Sequence, residues 1–201
     1  MFKTESYLKL KKISDITNST KDIKKNSAFF AIKGSNTDGN KYINEAIEKG
    51  AKIIISNNKK ELNKINNNKI IKIFSNDIRK FYSDECSRVN NYPSKKIKIC
   101  GITGTNGKTS IATLLRYIWG IKNSGLIGTI ENSYGHHKTK SVLTTPDTLQ
   151  LNKLISKMSK SKIDEIFLEV SSHALEPVSY THLRAHETVL DRVCRLLLEK
   201  K

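Results

Sequence analysis

The residues best suited to do chemistry lie in one stretch, Gly101-Ile-Thr-Gly-Thr-Asn-Gly-Lys-Thr109. Gly104 and Gly107 lack the Cβ that bars other residues from left-handed backbone and from close approach to a ligand. Successive N–H groups in such a loop, continued by a helix N-terminus, can surround phosphate oxygens. Lys108 then supplies a positive charge for β- and γ-phosphates, and the Thr109 hydroxyl stands where loops of this kind ligate Mg²⁺. The strict phosphate-loop pattern has a further glycine five residues before Gly107, where this chain has Ile102. The loop is therefore a variant, and its chemistry is the binding of ATP.

A phosphate loop needs a strand before it and a helix after it. Ile97-Lys-Ile-Cys-Gly-Ile102 reads as the strand, and Ile111, Leu114, Leu115 and Ile118 fall at i, i+3, i+4 and i+7, the buried stripe of a helix. A second helix is expected from Thr145-Pro146, threonine as cap and proline at the first helical position, with Leu151, Leu154, Ile155 and Met158 inward. Ile166-Phe-Leu-Glu-Val170 is the next strand, and the strand–helix–strand order argues for a parallel sheet.

Upstream the same alternation occurs. Phe29-Phe-Ala-Ile32, Lys52-Ile-Ile-Ile-Ser56 and Lys69-Ile-Ile-Lys-Ile-Phe74 read as strands, with a turn at Asp38-Gly39. A helix runs from Asn40 to a stop at Gly50, and another begins at an Asn76 cap with Ile78, Phe81, Tyr82, Cys86 and Val89 on its apolar face. Polar Asn90-Asn-Tyr-Pro-Ser-Lys95 separates the two halves. The expectation is an α/β protein with a domain over 1–93 and a second over 94–177.

Composition narrows the classes. Charged residues make up 27% and hydrophobic residues 37%, as in globular chains. No apolar run reaches the roughly 18 residues that span a bilayer, and Met1-Phe-Lys-Thr-Glu-Ser-Tyr-Leu8 lacks the features of a secretory signal. A cytoplasmic monomer without a membrane partner is expected. The formal charge of +17 comes mostly from lysines scattered among Asn and Ile, with no arginine stripe and no aromatic–basic platform, so no nucleic-acid partner is expected. Cys86, Cys100 and Cys194 are too scattered for a disulfide framework or metal cluster, and Cys100 reads as a small buried residue. The adjacent histidines of Tyr134-Gly-His-His137 sit in a polar loop and are expected to hold no metal.

Three segments, in order, carry a resemblance. The variant loop resembles that of the Mur ligases, ATP-dependent enzymes that add amino acids to the peptidoglycan precursor; folyl-polyglutamate ligases have a similar loop. Leu143-Thr-Thr-Pro-Asp-Thr-Leu-Gln150 and Leu168-Glu-Val-Ser-Ser-His-Ala-Leu175 resemble segments of the branch that adds the third residue of the stem peptide. Phe29-Phe-Ala-Ile-Lys-Gly34 with Asp38-Gly39 is similar to that branch's UDP-sugar-binding domain.

The resemblance implies a small N-terminal UDP-precursor-binding α/β domain, followed by the first part of a P-loop-type parallel-sheet central domain. It implies that Gly104, Thr105, Asn106, Gly107, Lys108, Thr109 and Ser110 hold ATP, and that Thr109 and Glu169 form a Mg²⁺ site, with Lys108 and Glu169 as the catalytic pair. It also implies that Thr144, Thr145 and Ser171 contact UDP-N-acetylmuramoyl-dipeptide, while Ser35, Asn36 and Thr37 line the uridine-nucleotide site. Thr20 joins that set from Ser19-Thr20-Lys21, which stands where the family has Asp-Ser-Arg; Lys21 lacks arginine's planar fork. Glu169 ends an apolar strand, the place where α/β sheets bind ligands, and His173 is expected to be structural.

Family members are much longer, so the remaining ATPase segment and the domain that selects the amine are expected to be missing. The last 24 residues, Val178 to Lys201, leave the family pattern and look like read-through of a sequencing adapter, the competing reading being an amphipathic helix. A chain of this extent is expected to be inactive alone. The readings set beside a ligase of this branch are another ligase of the superfamily and a basic nucleotide- or RNA-binding module.

Overall fold

The computed structural model describes residues 12–13, 15–34, 37–141 and 146–170. They form two compact units divided between Glu85 and Cys86.

In the first unit, β1 (Ile16–Thr17), β2 (Ala28–Ala31), β3 (Ile53–Ser56) and β4 (Ile71–Phe74) lie parallel and in chain order. β2 and β3 are buried along their whole length. Strands covered on both faces have no polar side to show, which is why their sequences are unbroken apolar runs. On one face Phe29 and Ile54 pack with Ile43 and Ala46 of α1 (Ile43–Glu48) and Leu62 of α2 (Lys59–Asn63). On the other, Phe30 meets Phe81 and Tyr82 of α3 (Ile78–Val89), ring centroids 5.7 and 4.9 Å apart. This packing explains why the division of the chain falls within α3, upstream of the polar 90–95 stretch. The cap of α3 is Asp77, whose Oδ1 accepts from Lys80 N at 3.0 Å, in place of the expected Asn76.

The second unit is built on β5 (Lys98–Ile102), β6 (Ser124–Ile127), β7 (Glu131–Tyr134), β8 (His137–Lys140) and β9 (Glu165–Glu169), in the order β5-β9-β6-β7-β8. β5, β9 and β6 are parallel; β7 and β8 add an antiparallel hairpin. The expected parallel sheet is present, and the hairpin is an addition to it. Glu-Asn-Ser-Tyr and His-Lys-Thr-Lys carry no apolar run to betray a strand, so the histidine pair expected in a loop instead spans a hairpin turn, with His137 stacked on Tyr134 at 5.3 Å.

Helices cover both faces of this sheet. α5 (Thr148–Lys160) places Leu151, Ile155 and Met158 against Ile127, Ile166 and Leu168. Each such side chain contributes roughly 1.5–3 kcal/mol by burial. The helix begins at Thr148 with Asp147 as cap, its carboxylate accepting from Gln150 N at 2.9 Å, so it starts later than Pro146 and without a threonine cap.

α4 (Lys108–Trp119) covers the other face, where Ala112 packs with Ile102, Leu126 and Phe167. Its inward face differs from the expected one. Leu114 and Ile118 are 57% and 70% exposed, whereas Ala112 and Arg116 are buried. The phosphate loop dictates this rotation: Thr109 must face the end of β9, and 112 and 116 follow at i+3 and i+7. Among the described residues no helix is long and apolar enough to cross a membrane.

Candidate phosphate and cation site

The end of β5 and the start of α4 enclose the site. Gly104 and Gly107 have φ of 144° and 79°, the left-handed region expected of them. Gly107 itself precedes the first helical residue, with no side-chain cap, so the first N–H groups of α4 remain available to an anion. Lys108 arches back over the loop, its Nζ donating to Gly104 O at 2.7 Å. Ile102, the residue that replaces a glycine of the strict pattern, is buried in the core between β5 and α4. Residues 105–110 and Thr129 line a cavity of about 410 Å³.

Glu169 closes this site from β9. β9 pairs with β5 so that Glu169 lies opposite Ile102, level with the entry to the loop. Its carboxylate is 1% exposed and far from the solvated strand end its position allows. Oε2 accepts from Thr109 Oγ1 and from Thr129 Oγ1, both at 2.9 Å, and Oε1 accepts from Thr129 N at 3.2 Å. Gly128 provides the room: a Cβ there would overlap the carboxylate, lying 2.9 Å from its Cδ.

A Mg²⁺ ion suits these donors. Among the described residues no group of three or more His, Cys, Asp or Glu could hold a metal, and the oxygens at this site are the buried Glu169 carboxylate and the Thr109 and Thr129 hydroxyls. Mg²⁺ characteristically takes one or two protein oxygens and completes its shell with phosphate and water.

Thr129 escaped the sequence reading because an isolated threonine after Gly128 carries no pattern. Arg116 escaped it as well. It is 5% exposed on α4, donates to Ser133 Oγ at 2.7 Å and to Gly135 O at 3.0 Å, and lies 3.6 Å from Glu131.

The other expected residues divide into two groups. Ser35, Asn36, Thr144, Thr145, Ser171 and His173, with the 178–201 segment, lie outside the described residues. Thr20 opens a short 3₁₀ turn beside α1, its carbonyl accepting from Lys49 Nζ at 3.1 Å. Thr37 is exposed, its carbonyl accepting from Gly34 N at 2.8 Å. Among the described residues no hydrogen bond joins Thr20 to Thr37. Beyond this turn, Lys33, Asp38, Asn40, Asn58, Lys59 and Phe74 line a polar cavity of about 610 Å³ at the C-terminal ends of β2, β3 and β4. Asp38 is held below the usual carboxylate range by the Asn40 N–H first and by its side-chain amide second. Asn40 in turn accepts from the buried Ser56 hydroxyl at 2.5 Å.

Comparison with known proteins agrees with this geometry. Residues 12–94 match the Mur ligase family, catalytic domain, and residues 102–190 match the Mur ligase middle domain, a match that runs into the segment expected to be foreign. The UDP-N-acetylmuramoyl-L-alanyl-D-glutamate–2,6-diaminopimelate ligase of Alkaliphilus oremlandii is 42% identical over 166 residues, 82% of this chain and 33% of that protein. The corresponding L-lysine ligase of Staphylococcus haemolyticus is 33% identical over 165 residues, 81% of this chain and 33% of the relative. A solved diaminopimelate ligase structure superposes with a TM-score of 0.64 at 20% identity, over 85% of this chain and 34% of that one. The chain thus spans about a third of the length of the relatives it matches. Along both its units, this chain belongs to the Mur ligase family.

Proposed function

We propose that this chain is the precursor- and ATP-binding part of a cytoplasmic ligase that adds the third amino acid to UDP-N-acetylmuramoyl-L-alanyl-D-glutamate. The observation that carries the reading is the buried Glu169 carboxylate held against Thr109, the residue that follows the loop lysine.

The loop N–H groups and Lys108 bind and orient the phosphates of ATP so that the γ-phosphoryl group faces the precursor carboxylate. Attack by that carboxylate gives an acyl phosphate, and an incoming amine displaces phosphate to form the amide. Thr109 and Glu169 would hold Mg²⁺, which when bound would neutralise charge on the phosphates. The Lys108 ammonium carries three N–H donors, so the one it gives Gly104 O holds it over the loop and leaves others for phosphate oxygens. The first unit holds the uridine nucleotide through Ser35, Asn36 and Thr37, with Thr20 as a further contact, and Thr144, Thr145 and Ser171 meet the muramoyl-dipeptide. Relatives named for adding diaminopimelate and for adding L-lysine are both similar to this chain, which supports diaminopimelate or lysine as the amine.

Titration of the 201-residue chain with a non-hydrolysable ATP analogue and Mg²⁺ tests the nucleotide site. Saturable binding, weakened at least tenfold by Lys108→Ala, is expected; equal binding by both proteins would overturn it. Retention of labelled UDP-N-acetylmuramoyl-dipeptide in preference to RNA at physiological salt is the companion test, and the reverse preference would favour a basic RNA-binding module.

A further inference from the structure

Glu169 is fixed by more than its own strand. Two of its three described hydrogen bonds come from Thr129, which is exposed at the start of the β6–β7 turn and turns its hydroxyl inward. That turn is in its place because Gly128 N donates to Glu131 O at 3.2 Å, and because Glu131 is tied to α4. Arg116 pairs with Glu131, Ser133 Oγ donates to Glu131 Oε1 at 2.9 Å, and Arg116 donates to Ser133. α4 also carries Thr109. The contacts therefore close a circuit: Thr109 to Glu169, Glu169 to Thr129, along the turn to Glu131, across to Arg116, and back down α4 to Thr109.

We propose that Thr129 is a positioning residue of the cation site, holding the Glu169 carboxylate at Thr109, the two groups that would hold a metal ion beside the nucleotide phosphates. The proposal rests on the phosphate-loop reading and adds to it a residue from a different element. A carboxylate accepting two hydrogen bonds from one residue, through its N–H and its hydroxyl, is fixed in both rotation and tilt. Without the hydroxyl, Oε2 loses one of the two threonine hydroxyls that donate to it, and its position against Thr109 is less tightly set. The Arg116–Glu131 pair is buried on the arginine side, at 7% side-chain exposure, and keeps the turn from drifting from the helix.

The test uses the 201-residue chain, the nucleotide analogue AMP-PNP, and Mn²⁺ as an EPR-visible stand-in for Mg²⁺. AMP-PNP affinity is measured in EDTA and in Mn²⁺, and the ratio gives the coupling between metal and nucleotide. Thr129→Val, nearly isosteric, is expected to cut the coupling about tenfold, the EDTA measurement on the same variant absorbing any direct effect of this cavity-lining residue on nucleotide affinity. Thr129→Ser, which keeps the hydroxyl, is expected to retain the coupling within twofold. Unchanged coupling in Thr129→Val, or equal loss in both variants, overturns the proposal. If the unsubstituted chain binds no AMP-PNP under either condition, the phosphate-loop reading itself fails, a result distinct from nucleotide binding with unmoved coupling.

Discussion

Gly128 is the position at which a single methyl group should do most damage to the site. A Cβ built there overlaps Glu169 Oε1 and lies 2.9 and 3.3 Å from Cδ and Cγ, so the whole carboxylate end must shift. Glu169 is 1% exposed, and the movement that relieves the overlap takes it away from Thr109 and Thr129. Losing one such charge-assisted hydrogen bond costs about 1.5–3 kcal/mol, and overpacking a buried position costs about 1–3 kcal/mol. The effects overlap, and Gly128→Ala is expected to destabilise the second unit by about 2–4 kcal/mol. Trp119, the only tryptophan, sits on Phe167 of β9, so its fluorescence during urea unfolding reports on this unit. The decisive measurement is a double-mutant cycle. Glu169→Ala removes the atoms that the new methyl would meet, so Gly128→Ala should cost less than about 0.5 kcal/mol in that background, a coupling of about 2 kcal/mol or more. If the full cost persists without the Glu169 side chain, the close packing argued here is wrong.

Other expectations can be checked alongside. Ile155→Ala, at a fully buried position between α5 and the sheet, should cost about 2–5 kcal/mol in the same unfolding assay. Arg116→Met keeps most of the side chain's apolar stem but removes the donor to Ser133 Oγ and Gly135 O and the cation beside Glu131, which keeps Ser133 and Lys138; a cost of about 2 kcal/mol is expected, with reduced protection of β7 amides in hydrogen exchange. Asp38→Ala removes an N-cap and should cost the first unit about 1 kcal/mol at neutral pH. Because the folded carboxyl is held below its ordinary value, its contribution is present above the unfolded pKa and is lost as pH falls through the folded one, so the two proteins should converge in stability below about pH 4. Burial, and Glu165 beside it, push the half-buried Cys100 thiol upward, and iodoacetamide should modify it much more slowly than a free thiol at pH 8.

What the sequence made legible follows the strength of its local patterns. The runs Phe29-Phe-Ala and Ile53-Ile-Ile could only be strands buried on both faces, and the glycine loop between β5 and α4 located the phosphate site. Glu169 was singled out by the family resemblance of its segment and fits a strand end, but its burial came from Gly128 and Thr129, which approach from another element. Leu114 and Ile118 misled because an apolar stripe at helical spacing names a face without saying what the helix must satisfy at its first turn; Thr109 set the rotation. The β7–β8 hairpin was hidden because its strands are polar, and their partners are set by register and by Arg116 in place of apolar alternation. Both displaced caps, Asp77 and Asp147, lie one or two residues from the expected ones, where several capping types stand in a row.

The place of β9 between β5 and β6 has a consequence for how the second unit comes into being. Ile102 and its partner Glu169 are 169 − 102 = 67 residues apart, and the sheet has no continuous hydrogen-bonded path from β5 to β6 until β9 is laid between them. On a ribosome, β5, α4 and the β6–β8 meander would all emerge first, with one edge of β5 and one of β6 waiting for the same strand. Closing so long a loop is slow, and exposed strand edges invite pairing with other chains in the interval. Because β9 also brings Glu169, the join between β5 and β6 and the carboxylate of the cation site would be set in one event, and no earlier intermediate on the folding path would hold metal at this loop.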